Sequence, residues 1–293
     1  MSTTTSPHPF LDQLNKVGYV VIPKLIDEAT VEKLRAACSE VTGLARAGNW
    51  PYIRTLPKQF PPWPQSTYVN GVWGVQHLMH PNMPHSAEFV SHYFSDELCN
   101  VVKELLQCSD EDLVMELFNL LVKPTKDFEL RWHRDDVPPE ATSEEEMERL
   151  AKPGWHAQWN MALYDDASLI VVPGTHARAR TEEERNAGPF EPNMPGQLIV
   201  ELGPGDAVFY NNNILHRGKY DPTKERATLH GSMGHVKGGQ ERARNVLQHG
   251  REWIGEVKLD GLSAEQQERA KGMRSRLVKL AGEVEVTGFS QKD

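Results

Sequence analysis

Cysteine is scarce in this 293-residue chain: Cys38, Cys99 and Cys108 are too few and too odd in number for a disulfide framework. No Asn-x-Ser/Thr acceptor occurs either. Long apolar runs are missing. The longest candidates, such as Leu169-Ile-Val-Val172, are strand-sized, far from the roughly 20 residues a membrane helix needs. Positive charge is in deficit. Forty-one Asp and Glu against 32 Lys and Arg leave a formal charge of −9, which excludes binding of nucleic acid through a global basic field. The opening Met-Ser-Thr-Thr-Thr-Ser-Pro has neither the positive start nor the apolar centre of a secretory signal. The phosphate-cradling glycine loops, His-Glu-x-x-His, Cys-x-x-Cys and Gly-x-Ser-x-Gly are also absent. A cytoplasmic protein is expected, with neither membrane nor nucleic acid among its partners.

Glycine and proline are plentiful, at 22 and 20 residues, and favour a turn-rich β architecture over a helical bundle. Residues 1–14 are expected to be disordered. Gly18-Tyr-Val-Val-Ile22 reads as a short strand. After Asp27, Val31, Leu34, Cys38 and Val41 follow helical spacing. Trp50–Trp73, with Phe60-Pro-Pro-Trp-Pro64 inside it, reads as an extended loop. A second helix is predicted from Asp96 to about Gln107, capped by Ser95. Short apolar or alternating segments then follow: Leu113–Val122, Phe128–His133, His156–Tyr164, Leu169–Val172, Gln197–Leu202, Ala207–Tyr210 and Arg226–Ser232. Strands at this density suggest a sandwich or jelly roll. Two polar insertions interrupt them, Pro138–Gly154 with the acidic helix Ser143–Leu150, and Ala177–Pro195. Loops of this size read as lids. The expected organisation is one β domain over 15–260 with N-terminal helices and lid insertions, then a C-terminal helix in 261–293, opened by the capping box Ser263-x-x-Gln266 and packed on or extending from the domain.

Twelve histidines are scattered along the chain, and two stand out by arrangement. His133-Arg-Asp135 follows a predicted strand, where residues i and i+2 share a face. His216 lies about 80 residues on, after the strand that begins beyond the turn Gly203-Pro-Gly-Asp206. Two imidazoles and a carboxylate on one side of an ion, with open positions opposite, form the facial triad of non-haem Fe(II) oxygenases. Arg226 follows ten residues after His216, and Thr228 faces the same way. A guanidinium is a rigid fork for a carboxylate. Together with a hydroxyl it fits the far end of a dicarboxylic keto acid whose other end chelates iron.

These residues resemble the phytanoyl-CoA dioxygenase family of Fe(II)/2-oxoglutarate-dependent oxygenases. The resemblance runs over about residues 15–235. It is carried by Asn15-Lys-Val-Gly-Tyr-Val-Val-Ile-Pro-Lys-Leu-Ile-Asp27, Leu120-Leu-Val-Lys-Pro124, Trp132-His-Arg-Asp135, Trp159-Asn-Met-Ala-Leu-Tyr-Asp165, Val171-Val-Pro-Gly-Thr-His176, and Gly203-Pro-Gly-Asp206 through Thr228. It implies a mainly β fold with flanking helices, a double-stranded β-helix (cupin-like jelly roll). It further implies Fe(2+) on His133, Asp135 and His216, with 2-oxoglutarate as cosubstrate held by Arg226 and Thr228 beside Trp159. The activity implied is hydroxylation, or another oxidation by hydrogen abstraction, of a small or medium organic metabolite with O2, giving succinate and CO2. The chain departs from the family in the short Asp165-Asp-Ala-Ser-Leu169, which leaves Ser168 or Gln158 to replace a usual cosubstrate contact. It also departs at Arg134, which would select an anionic substrate if it, or Arg178, faced the cavity. Relatives that halogenate lack the carboxylate ligand, so Asp135 disfavours that outcome.

Other readings were weighed for several residues. His77-x-x-His80-x₄-His85 has no period that aligns all three rings, so packing is the better account. His176 is expected to hydrogen-bond a turn. Asp136 is out of phase with His133. Gln76 is a weaker substrate candidate, and Trp159 is alternatively plain core. Two rival functions stand beside the oxygenase: a cupin-like metal enzyme that uses no keto acid, and a non-catalytic binding partner.

Overall fold

The computed structural model of the chain describes residues 6–61, 63–64, 71–240 and 252–282. Two antiparallel sheets make a jelly roll. The larger has the order β1-β9-β6-β11-β4-β3-β2, the smaller β5-β10-β7-β8. The strands are β1 Tyr19–Ile22, β2 Ile53–Thr55, β3 Val72–Val75, β4 Leu113–Val122, β5 Phe128–Glu129, β6 His156–Ala162, β7 Asp166–Val172, β8 Leu198–Leu202, β9 Ala207–Tyr210, β10 Leu215–Tyr220 and β11 Ala227–His235. Among the described residues, no helix is long and apolar enough to cross a membrane.

Alternation along the strands separates two interiors. On β6, Ala157, Trp159 and Met161 join the main hydrophobic core, while His156, Gln158 and Asn160 line a cavity between the sheets. Helices cover the outer face of the large sheet. Helix Glu28–Arg46 starts at Asp27, whose side chain accepts from Thr30 N at 2.8 Å, and buries the expected Val31, Leu34, Cys38 and Val41. Helix Asp96–Leu106 starts at Ser95 and buries Leu98, Val101, Val102 and Leu105. Helix Ala264–Gly282 opens with the reciprocal Ser263–Gln266 bonds and packs on β4. Arg276 there donates to Leu113 O and Asp110 O at the start of that strand.

Three expectations change. Residues 9–14 are not disordered: they belong to a helix, Pro9–Val17. Phe10, Leu11 and Leu14 pack against the core, and Glu104 accepts from the free N–H of Phe10 at 2.8 Å, supplying the cap its own sequence lacks. Trp50–Trp73 is not loop throughout, because β2 and the start of β3 fall within it; residues 62 and 65–70 lie outside the described residues. His216 does not simply trail β9. It occupies its own strand β10, whose sequence Leu-His-Arg-Gly-Lys-Tyr hides its period because one face meets the polar cavity.

Gly231 on β11 sits beneath Trp159. A Cβ there would lie 2.4 Å from Trp159 Cζ2 and 3.0 Å from Phe118 Cδ2. Trp159 is fully buried and has no room to withdraw. Gly231→Ala is therefore expected to lower stability by about 1–3 kcal/mol, read as a reduced midpoint in urea denaturation.

Candidate metal centre

His133, Asp135 and His216 converge, with one ligand atom from each lying within 4.8 Å of the others. The backbone does the converging. His133 N donates to His216 O and His216 N donates to His133 O, both at 3.0 Å, as an isolated antiparallel bridge. Register explains why the imidazole of residue 133 faces inward. Tyr220 pairs with Phe128 and Lys219 with Glu129, whereas His216 pairs with His133. One extra residue has therefore entered on the His133 side. A one-residue slip inverts every side chain that follows. It turns His133 into the cavity and sends Trp132 to the outer cluster with Ile170, Val172 and Leu215. Asp135 N then donates to Asn212 O at 2.9 Å, which ties the carboxylate to the loop before β10.

The hydrogen bonds set the chemistry of the donors. His133 Nδ1 lies 2.7 Å from Arg131 O, and His216 Nδ1 2.8 Å from Ile214 O. A carbonyl only accepts, so both Nδ1 atoms are donors, and in the neutral tautomer each Nε2 presents its lone pair to the site. Those Nε2 atoms stand 3.5 Å and 3.8 Å from Asp135 Oδ1. Oδ2 of the same carboxylate accepts from Gln158 Nε2 at 3.3 Å, while Oδ1 is the oxygen turned toward both Nε2 atoms. Burial holds the His133 pKa well below the usual imidazole range, and the neighbouring His216 adds to this. Burial also raises the pKa of Asp135, against the pull of His216. Two imidazole nitrogens and a carboxylate that burial penalises make a donor set a divalent cation would satisfy.

Across the cavity, Arg226 and Thr228 meet at a carboxylate that the sequence had placed in a short turn. Asp166 Oδ2 accepts from Arg226 Nε at 3.1 Å and from Thr228 Oγ1. Burial works against the Asp166 charge, but Arg226, Ser168 and Thr228 outweigh it and bring its pKa to about 2. The guanidinium lies over the Tyr220 ring at 4.3 Å, and its Nη1 is buried with no partner. A fork held on one side with a free donor on the other suits an incoming carboxylate.

The cavity has a volume of about 460 Å³. Gln158 and Gln76 line it, as does Ser168. Two expected contacts are corrected. Trp159 does not face the cavity: the alternation of β6 places it in the core, with its ring 5.9 Å from Tyr93 and 5.8 Å from Phe209. Arg134 is out of phase with both ligands and turns outward, donating to Arg178 O at 3.0 Å. Arg178 itself pairs with Glu184. Asp136 is engaged by Asn212 and Asn213 rather than by the histidines. His77 and His80 pack edge-on against Tyr52, Trp50 and Trp253. His176 bonds backbone, pairing with Asn15 O at 3.1 Å.

Sequence reasoning missed Arg54, Asp166, Tyr210 and the His230–Asn160 pair, all of which line or approach the cavity. His230 is kept neutral: burial, with Arg54 and Arg226 nearby, lowers its pKa to about 3. Its phase with Arg226 and Thr228 on β11 was the available signal.

Residues 14–226 match the phytanoyl-CoA dioxygenase (PhyH) family, and the chain belongs to it. No curated protein sequence matches the chain significantly. Solved structures share its fold at low identity. EctD from S. alaskensis with bound iron is 17% identical with a TM-score of 0.58, covering 82% of this chain and 80% of that one. HygX from Streptomyces hygroscopicus, with nickel and 2-oxoglutarate bound, is 16% identical with a TM-score of 0.56, covering 79% and 88%. SnoN, the non-heme alpha ketoglutarate dependent epimerase from nogalamycin biosynthesis, is 16% identical with a TM-score of 0.54, covering 78% and 80%.

Two outcomes follow from this geometry. Gln158→Ala should weaken divalent-metal affinity about 10- to 100-fold without unfolding the chain, measured by competition with a chelating dye. Asp166→Asn should remove roughly 2 kcal/mol of stability at neutral pH. The Asp166 pKa is depressed, from 3.8 in an ordinary carboxyl to about 2. Its contribution is therefore complete above the higher value and lost as pH falls toward the lower one. Urea denaturation of both proteins from pH 7 down to the acid limit should show the difference closing only in that window.

Proposed function

We propose that the protein is a non-haem Fe(II)/2-oxoglutarate-dependent dioxygenase. Its substrate would be a small or medium organic metabolite, hydroxylated or otherwise oxidised by hydrogen abstraction. The observation that carries this reading is the convergence of two Nε2 lone pairs and Asp135 Oδ1 on one point of a cavity that also holds Arg226. Family membership and relatives crystallised with iron or with 2-oxoglutarate support it.

His133, Asp135 and His216 would hold Fe(2+) on one face and leave the opposite face open to ligands. Arg226, with Thr228 beside it, would take the distal carboxylate of 2-oxoglutarate through the unpartnered Nη1. When bound there, iron and the keto acid would supply the oxidising chemistry, with O2 consumed and succinate and CO2 as coproducts. The remaining tasks fall to the chain. Arg131 O and Ile214 O fix both imidazole tautomers, and Gln158 fixes the carboxylate. Asp166 fixes Arg226. The unpartnered Nη1 favours the keto-acid reading over a cupin-like metal enzyme that would have no use for that donor.

The test is succinate formation from 2-oxoglutarate with Fe(II) and O2, alone and with candidate metabolites. His133→Ala and His216→Ala are each expected to lose iron binding and turnover by more than 100-fold. Undiminished turnover in either would refute the ligand assignment. Arg226→Ala should raise the 2-oxoglutarate KM at least tenfold and leave iron affinity unchanged.

A further inference from the structure

The cavity contains a second guanidinium, from Arg54 on β2. Arg54 pairs with Gly74 on β3, Gly74 with Leu121 on β4, and Leu121 with Thr228 on β11. Paired residues point to the same side of a sheet, so Arg54 lies in one row with the proposed cosubstrate hydroxyl, at the far end of that row. Gly74 lets it reach inward. A Cβ at Gly74 would lie 3.0 Å from Arg54 Cδ and 3.2 Å from both Cβ and Cγ, so the aliphatic stem crosses directly over the glycine. The guanidinium carbon then sits 5.4 Å from the Trp73 ring and 5.9 Å from the Trp63 ring.

The charges in the cavity are not used alike. Arg226 is matched by Asp166. Among the described residues Arg54 has no carboxylate at ion-pair distance, and its Nε is buried without a partner. Burial lowers its pKa, while Tyr220, Tyr210 and Asp135, which line the same cavity, act in the opposite sense. Indole faces hold the guanidinium plane without consuming its N–H edge. A planar cation held this way, partly dehydrated and unmatched, is built to take an anion. The cavity is large enough for the keto acid and a further small molecule.

We propose that Arg54 anchors a carboxylate of the oxidised substrate, so that the protein acts on a small organic acid held between the Trp63–Trp73 side and the metal. This rests on the oxygenase reading, in which Arg226 is committed to 2-oxoglutarate. Arg54 thereby takes the role that Arg134 and Arg178, both turned away from the cavity, do not fill.

The test uses full-length protein loaded with Mn(II), which occupies the site without turnover, and saturated with 2-oxoglutarate. The probes are butyrate, octanoate, benzoate and phenylacetate, each compared with its primary amide. Paramagnetic relaxation of probe protons by Mn(II) reports binding near the metal. At least one acid is expected to bind tenfold or more tightly than its amide. Arg54→Gln should abolish that preference while shifting 2-oxoglutarate affinity less than twofold, and Arg54→Lys should keep the preference at reduced affinity. Should Arg54→Gln not fold, Arg54→Lys weakening the acids alone, with amides and 2-oxoglutarate unaffected, carries the test. No acid preferred over its amide, or a preference that survives Arg54→Gln, would overturn the proposal. So would loss of 2-oxoglutarate affinity in Arg54→Gln, which would assign Arg54 to the cosubstrate. Failure of wild-type protein to bind metal and 2-oxoglutarate would instead sink the oxygenase reading, and this inference with it.

Discussion

The pair of backbone hydrogen bonds between His133 and His216 governs the rest of the site. It joins segments 83 positions apart in the chain, and it does so one residue out of step with the β5–β10 ladder that precedes it. Without that extra residue, Trp132 would enter the cavity and His133 would leave it. The bulge is also what the outer surface requires, since Trp132 fills a cluster with Ile170, Val172, Met194 and Leu215. Arg217, the outward neighbour of His216, stacks on Trp132 at 5.1 Å and pairs with Glu129. The apolar and cationic packing outside thus holds the register that aims the imidazoles inside.

The cavity floor is a problem in burying charge, and the chain solves it by pairing. Desolvation makes an isolated buried ion costly by several kcal/mol. Asp166 and Arg226 neutralise each other, and Thr228 and Ser168 supply further hydrogen bonds to the carboxylate. His230 and Asn160 are a neutral pair in the same wall. Asp135 on one side and Arg54 on the other bring their charges to the same cavity. Both are stationed where a ligand of opposite charge would complete the balance, a cation for the carboxylate and an anion for the guanidinium. Residual charge in an otherwise neutralised interior is more informative about ligands than the net charge of −9 on the whole chain.

The helices and most strands were legible because their signals are local. A cap followed by a 3.6-residue period marks Glu28–Arg46, Asp96–Leu106 and Ala264–Gly282, and an apolar run bounded by turns marks β4 and β9. The grouping of His133, Asp135, His216 and Arg226 was legible from spacing along the chain. Residues whose role depends on a distant partner were not. β10 carries polar side chains on its inner face because that face meets the cavity, so its period reads as loop. Helix Pro9–Val17 is capped from Glu104, more than 90 residues away. Arg54 is explained only by Gly74, a neighbour on another strand. Trp159 and Gln158 are adjacent, and only the phase of β6 decides which meets the core and which meets Asp135.

The two polar insertions were read as lids, and their sequences look mobile and solvated. Their interior suggests a single collar instead. Glu146, in the acidic helix Ser143–Leu150, has a side chain with no solvent exposure. It accepts from Arg180 at 2.5 Å and lies 3.0 Å from Arg185, both belonging to the second insertion. Arg185 also donates to Ala141 O and Ser143 Oγ, and Arg180 to Pro139 O, so each insertion closes hydrogen bonds the other leaves open. A fully buried carboxylate bound by two guanidinium groups is expensive to break, because removing its partners would leave the Glu146 charge buried and uncompensated. The two insertions are thus joined through one ion cluster. Arg149, Leu150 and Lys152, at the end of the acidic helix and just beyond it, line the cavity. None of His133, Asp135 and His216 takes part in this ion cluster.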